Sequence, residues 1–546
     1  MSRIYRIRHA GATIALVLVL IAMPTTADDG RVDFDLTTAG IADIQAAVAA
    51  GALTYERLVE LYLARIEAYD RAGPRLRSVV EIHPQALEIA RELDRERESS
   101  GLRSPLHGVP VAVKDTIDVH DVPSAGGNIA LAGTYPAHDA TVIAKLRDAG
   151  AIIFLKTNLD EFNMGAEGLS SLGGQTLNPF DLDRNPGGSS SGSAVAVASA
   201  FATVALGTES GASVRSPASN TALVGIAPTQ GLVSRTGVMA ISYTQDRVGP
   251  IAVNVHDAAL VLSVIQGFDA SDLFTWEALQ RADTAALARP PPADALAGAR
   301  IGVLRDMFRA GERFAHVNAL IDDELDRLRG PHDPDVDVIP GAGAVVIDGL
   351  SLGMDLVGFF PEARASVPEI QVTFDAWLRQ RGPDTPIESF AALVASGEYL
   401  PALEPLFSRV LELDPPQHNA NYLARLQSRP KIREQLVELM DRHALDALVY
   451  PFKSLGAPLL GTSDRGPRDN PISSITGLPA IVVPAGTDED GLPVAIEFLG
   501  RPFDEATLIA LAGAYEARRA GRLWPASTPP LEGDRFEYRR VTPSPD

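Results

Sequence analysis

Val109-Pro110-Val111-Ala112-Val113-Lys114 is an unbroken apolar run that stops abruptly at a lysine. Five apolar residues in a row, with no polar alternation, predict a strand buried on both faces, the pattern of a parallel sheet. Working outward, residues 141–148 have helical periodicity and end at Gly150, and residues 151–155 repeat the buried-strand pattern. Strand, helix, strand at this spacing predicts parallel α/β organisation. Further on, Pro186-Gly187-Gly188-Ser189-Ser190-Ser191-Gly192-Ser193 reads as loop, because Gly and Ser favour turns. Residues 194–201 are small and apolar, which suits a tightly packed helix, and residues 203–206 read as another strand running into Gly207. Two loops rich in Gly and Ser therefore fall at element ends, where α/β proteins carry their chemistry.

The flanks complete the outline. Leu58, Tyr62, Ile66 and Tyr69 recur at helical spacing behind Thr54, a suitable N-cap. Pro290-Pro291-Pro292 marks a linker, and residues 290–430 read as mostly helical with no recognisable motif. Strand-like runs return at 446–451 and 479–484. Residues 525–546, rich in Pro and charge, read as an exposed tail.

The chain has 546 residues, 46% hydrophobic and 22% charged, so it can bury a sizeable core. A net charge of −22 argues against nucleic-acid partners. With no Cys and no H-E-x-x-H, disulfides, thiolate nucleophiles, Cys-ligated zinc and the common metalloprotease signature are excluded; no metal or cofactor is expected. Arg3, Arg6 and Arg8 precede an apolar run at 10–23 and the small residues Thr25-Thr26-Ala27. Residues 1–27 thus read as a cleaved export signal, which predicts a periplasmic or extracellular protein with no lasting membrane anchor. The run is shorter than the ~20 residues of a spanning helix.

A serine hydroxyl is a weak nucleophile and needs a base. Besides histidine, a lysine kept neutral by burial can serve. Lys114, at the end of a buried strand, has that setting, although Asp115 and Asp118 beside it would favour its charged form.

Pro105-Leu106-His107-Gly108 with the run to Lys114-Asp115 resembles the lysine motif of the amidase signature family. The 186–193 loop resembles that family's Gly/Ser loop, and Gly207-Thr208-Glu209-Ser210-Gly211-Ala212-Ser213-Val214-Arg215-Ser216-Pro217-Ala218 its nucleophile segment. Lys156-Thr157-Asn158-Leu159-Asp160-Glu161-Phe162, Gln245-Asp246-Arg247-Val248-Gly249-Pro250 and Gly477-Leu478-Pro479-Ala480-Ile481-Val482-Val483-Pro484 match in the same order. The triple-serine loop and the Gln245-Asp246 pair look most like the peptide amidase branch.

The resemblance implies one domain over about 36–524: a central mixed β-sheet with helices on both faces and the 290–430 insertion beside the substrate pocket. It implies that Ser213 attacks an amide carbonyl, that Ser189, in a cis peptide bond, bridges Ser213 to Lys114, and that Ser190 assists. The N–H groups of Ser210, Gly211, Ala212 and Ser213 are the implied oxyanion hole. Ala212 departs from the commoner Gly and fits only at negative φ. Glu209 and Arg215 are a candidate ion pair. Peptide or aryl amides are the implied substrates, with esters or carbamates on the same residues as the alternative, and the protein is a monomer or homodimer.

Three other readings compete. Gly188-Ser189-Ser190-Ser191-Gly192 fits G-x-S-x-G, with Ser190 as nucleophile and His256, His316, His332, His418 or His443 as base. A Gly/Ser loop opening a helix also suits anions, but the phosphate-loop lysine is missing. The 156–162 motif also resembles the amidase-like component of tRNA-dependent amidotransferases, which the expected export signal and acidic charge disfavour.

Overall fold

The computed structural model describes residues 30–329, 342–356, 365–382, 385–462, 471–519 and 521–540. The expected export signal lies outside them. Pro110–Lys114 is a strand with every residue buried. It pairs in parallel with Ile152–Thr157 on one side and Val204–Glu209 on the other, and Thr141–Asp148 is the helix between the first two. Among the described residues these strands belong to one mixed sheet of eleven. From edge to edge it runs Val345–Leu350, Arg300–Leu304, Ala447–Pro451, Pro493–Leu499, Ala480–Thr487, Val224–Ala227, Arg247–Ala252, Val204–Glu209, Pro110–Lys114, Ile152–Thr157, Val79–Ile82.

Successive side chains of a strand point to opposite faces, and both faces of this sheet are covered. Val111, Val113, Val204 and Leu206 pack with residues of the helices Thr141–Asp148, Val255–Ile265 and Glu505–Glu516. Ala112 and Ala205 face the other way, toward Tyr55–Arg65 and Ser191–Ala198. Small residues on both the strands and the helix Ser191–Ala198 let the helix lie close on the sheet. Thr54 caps the helix Tyr55–Arg65 as expected, its side chain accepting from the Arg57 N–H.

Residues 290–430 are mostly helical but also supply two strands, Arg300–Leu304 and Val345–Leu350, which pair in parallel at the sheet edge. Five residues are too few for periodicity to reveal a strand among helical flanks. The helices Ile370–Arg381, Phe390–Ser396 and Glu404–Glu412 pack Phe374, Phe390 and Phe407 around Phe162. The segment thereby closes over the loop that follows Ile152–Thr157.

Of the expected tail, residues 541–546 lie outside the described residues, and residues 525–540, though exposed at many positions, are tied back to the body of the protein. Arg535–Arg539 pairs antiparallel with Arg31–Asp35. Asp534 is buried and sits 2.5 Å from Arg65, with both side chains almost fully enclosed. Arg65 also donates to the carbonyls of Ser199, Ala200, Thr528 and Pro529. The charges that suggested a solvated tail have partners far away in sequence. Removing one partner of a buried pair strands the other, so Asp534→Asn is expected to lower stability by about 3 kcal/mol. A reduced urea midpoint at unchanged m would show it.

Candidate active site

Lys114 lies two residues beyond Ala112, on the strand face that looks toward the helix Ser191–Ala198. At the entry to that helix, after a cis Gly188–Ser189 peptide, Ser189 Oγ lies 2.7 Å from Lys114 Nζ. Thr208, near the end of the adjacent strand, offers the amine its Oγ1 at 3.0 Å and its carbonyl at 3.4 Å. Asn163 Oδ1 accepts from Thr208 Oγ1 at 3.2 Å and lies 3.5 Å from Ser189 Oγ. Lys114 and Ser189 are fully buried. Burial pushes the amine down to about 7, against the pull of Asp160, Asp246 and Glu209.

The two carboxylates next to Lys114 in sequence turn elsewhere. Asp115 takes the N–H groups of Ala125 and Gly127 and lies 3.5 Å from Lys156. Asp118 pairs with Arg381 at 3.0 Å. Among the described residues, no carboxylate is within ion-pair distance of Lys114.

Ser213 sits in a short turn between the strand Val204–Glu209 and the helix Arg215–Asn220. The carbonyls of residues 210–213 are all engaged by the protein. Ser210 O accepts from Gln245 at 2.9 Å, Gly211 O from Arg215 at 2.9 Å, Ala212 O from the Ser216 N–H at 2.6 Å, and Ser213 O from the Ser190 N–H at 3.2 Å. Among the described residues, none of the four N–H groups has an acceptor. Ser210 is buried and the other three are half-buried, so the set is available to an incoming acceptor. Ala212 keeps negative φ, and its methyl is accommodated.

The turn is clamped by buried charge. Glu209 takes the N–H groups of Val214 and Arg215 and pairs with Arg215 at 3.0 Å and Arg247 at 2.7 Å. Arg215 continues to Glu497 at 2.7 Å, whose other oxygen accepts from Tyr450.

The amidase family profile matches residues 57–358 and 368–509. The chain belongs to the amidase family. It is 34% identical over 482 residues to a glutamyl-tRNA(Gln) amidotransferase component of Chloroflexus aggregans, covering 86% of this chain and 94% of that protein. A probable amidase of Arabidopsis thaliana is 33% identical over 492 residues, covering 88% and 90%. Among solved structures, a peptide amidase from Stenotrophomonas maltophilia superposes with a TM-score of 0.80 at 36% identity, covering 89% of this chain and 98% of that one. The protein is an amidohydrolase, a hydrolase of amide carbon–nitrogen bonds.

In this amidase a cavity of about 300 Å³ is lined by the turn residues Ser210, Gly211, Ala212 and Ser213. Ile241, Val367, Ile370 and Leu406 make an apolar wall, the last three from the 290–430 segment. Asn185, Ser216 and Asn220 make a polar one. Ser213 is half-buried there, and among the described residues its hydroxyl has no hydrogen-bond partner, Ser189 included.

Ser190 is fully buried. Its Oγ donates to the Thr208 carbonyl at 3.1 Å and accepts the Thr208 N–H at 3.2 Å, and Gly207 leaves room for it, since a Cβ there would lie 2.8 Å from Ser190 Oγ. Ser190 therefore props Thr208 rather than opening to the cavity. His256, His316, His418 and His443 do not line that cavity, and His332 is outside the described residues. Both findings count against the G-x-S-x-G reading.

Thr208 and Asn163 acquire places that sequence reasoning does not assign. Asn163 comes directly after a quoted motif, and φ of 53° at Phe162 and 63° at Asn163 turn it into the site. Paired left-handed residues leave no reliable trace in sequence.

Proposed function

We propose that this amidase cleaves a carboxamide to a carboxylate plus ammonia or an amine through an acyl-enzyme on Ser213, with Lys114 as base acting through Ser189. One observation carries the reading: a buried amine hydrogen-bonded to a buried serine, beside a turn whose four N–H groups are all unspent among the described residues.

A neutral amine has two N–H groups and one lone pair with which to take a proton. Thr208 O only accepts, and Thr208 Oγ1 gives its proton to Asn163, so both accept from Lys114. At rest Lys114 Nζ donates to Ser189 Oγ as well, and the Ser189 O–H is directed to Asn163 Oδ1 at 3.5 Å, so proton uptake by the amine reverses the first of these bonds. As Ser213 attacks the carbonyl carbon, its proton passes to Ser189 while the Ser189 proton passes to Lys114. The negative carbonyl oxygen is met by N–H groups of residues 210–213, and losing one such donor typically costs ~10²–10³-fold in rate. The relay returns the proton to the leaving nitrogen, and water releases the acid by the same route.

The apolar wall beside a polar one suits an acyl group with an apolar side chain and hydrogen-bonding carbonyls, as in a peptide amide or aryl amide. The peptide amidase likeness supports the same choice. Esters and carbamates on the same residues are the alternative. Incubation with a panel of such amides, followed by rapid quench and peptide mass mapping, is expected to place the acyl adduct on Ser213; an adduct elsewhere overturns the assignment.

Export is part of the proposal. It rests on the 1–27 segment, and among the described residues no helix is long and apolar enough to cross a membrane. A reporter fused behind residues 1–27 is expected outside the cytoplasm. Retention inside would reopen the amidotransferase reading.

A further inference from the structure

We infer that Asp160 is the counter-charge of the relay: a positioning carboxylate, packed behind the peptide that presents Ser189, that stabilises Lys114 while the amine holds the proton. This rests on the function proposed above.

Asp160 stands three residues beyond the strand Ile152–Thr157 and is 4% exposed. It holds the Ser189 loop at two points. Its N–H donates to the Ser189 carbonyl at 3.2 Å. Its carboxylate lies so close under Gly188 that a Cβ there would sit 2.0 Å from Oδ2. Oδ1 accepts the Glu167 N–H at 2.9 Å, whereas Oδ2 has no hydrogen-bond partner among the described residues. A buried carboxylate with one bare oxygen is costly, and structures retain such groups where something else compensates them. Burial pushes the Asp160 carboxyl up to about 6, against the pull of the Glu167 and Gly168 N–H groups and then of the Lys114 cation.

The effect is reciprocal. Three carboxylates pull Lys114 toward its charged form, Asp160 most strongly, then Asp246 and Glu209. Glu209 is already balanced by Arg215 and Arg247. Asp246 also leaves one oxygen without a hydrogen-bond partner among the described residues, but its other contacts are the N–H groups of Ile241 and Ser242 and the Ser210 side chain, not the Ser189 loop. Among the described residues, Asp160 has no arginine partner. When the relay delivers a proton, an N–H bond forms on Lys114 and an O–H bond breaks on Ser189. The buried Asp160 carboxylate and the charged amine then stabilise each other through space. Asp160 itself takes no proton.

The test is the pH dependence of acylation by a probe ester, p-nitrophenyl butyrate, read as the p-nitrophenol burst between about pH 5 and 9, either side of the amine's midpoint. In Asp160→Asn the acidic limb is expected to move down by about one pH unit, because an attracting anion has been removed from Lys114. The plateau is expected to fall about tenfold, as a weaker base gives less catalysis. A lower plateau with the limb unmoved, or moved upward, overturns the inference, since that is what a merely structural residue gives. If thermal melts show Asp160→Asn unfolded, carbon-13 NMR of aspartate-labelled Lys114→Met is read against the unmodified protein. One buried carboxyl is then expected to titrate about one unit higher, and unchanged midpoints overturn the inference. A burst that survives Ser213→Ala would instead remove the mechanism underneath.

Discussion

Ser213→Ala is expected to lower kcat on any amide substrate by a factor on the order of 10⁶, as when the nucleophile of a concerted serine hydrolase site is removed. The reason lies in the geometry of the turn. Its carbonyls are tied to Gln245, Arg215, Ser216 and Ser190, so the backbone is held without help from the Ser213 side chain. The Ser213 hydroxyl makes no hydrogen bond among the described residues, so its loss removes no packing bond from the fold. Substrate binding should therefore survive and the acyl adduct should vanish. Unchanged turnover in this variant would end the proposed mechanism, and a folded variant with undiminished ligand affinity would confirm that only chemistry was lost.

The second large effect is expected at Lys114. Lys114→Met should cost roughly 10²–10⁴-fold in kcat, the usual worth of a positioned base. In the unmodified enzyme, activity should rise as Lys114 loses its proton, through a midpoint near the value of about 7 to which burial brings it. The same burial also has a consequence for stability. The folded protein releases this proton near pH 7, whereas the unfolded chain keeps it to about 10.5. Between those limits the unfolded state binds more protons, so stability rises with pH. The penalty for burying Lys114 is thus complete below about pH 7 and fades toward pH 10.5. Lys114→Met should accordingly be inactive yet more stable, with the widest gap in urea midpoint at and below about pH 7 and convergence in alkali. A variant that is both inactive and less stable across that range would contradict the neutral-amine account.

How much of this was readable in the sequence follows from what each feature imprints on it. A strand enclosed on both faces must be apolar throughout, and Pro110–Lys114 was visible for that reason. The lysine closing that run stands out by contrast. Ser189 and Ser213 became candidates through motifs that resemble the amidase family, and the profile match shows that the chain belongs to it. Thr208, Asn163 and Asp160 stayed silent. Their importance comes from where the chain bends after Ile152–Thr157, and from contacts between distant segments, such as Asn163 and Thr208, which are 45 residues apart. Arg300–Leu304 was hidden by brevity among helical neighbours. In the C-terminal segment charge was read as solvation, while Asp534 keeps company with Arg65, which lies 469 positions earlier.

That last contact bears on how the molecule is made. Among the described residues, Arg31–Asp35 finds its strand partner in Arg535–Arg539, and Arg65 meets its anion at Asp534. A nascent chain therefore carries an open strand edge and a cation without its counter-ion until residues 534–539 have emerged. Loop closure over such a span is slow by nature, which delays completion of the fold. The clasp works as a late latch: a chain stopped short of Asp534 keeps a frayed edge and a stranded guanidinium, which exposes it to proteases, while one that reaches Arg539 snaps shut.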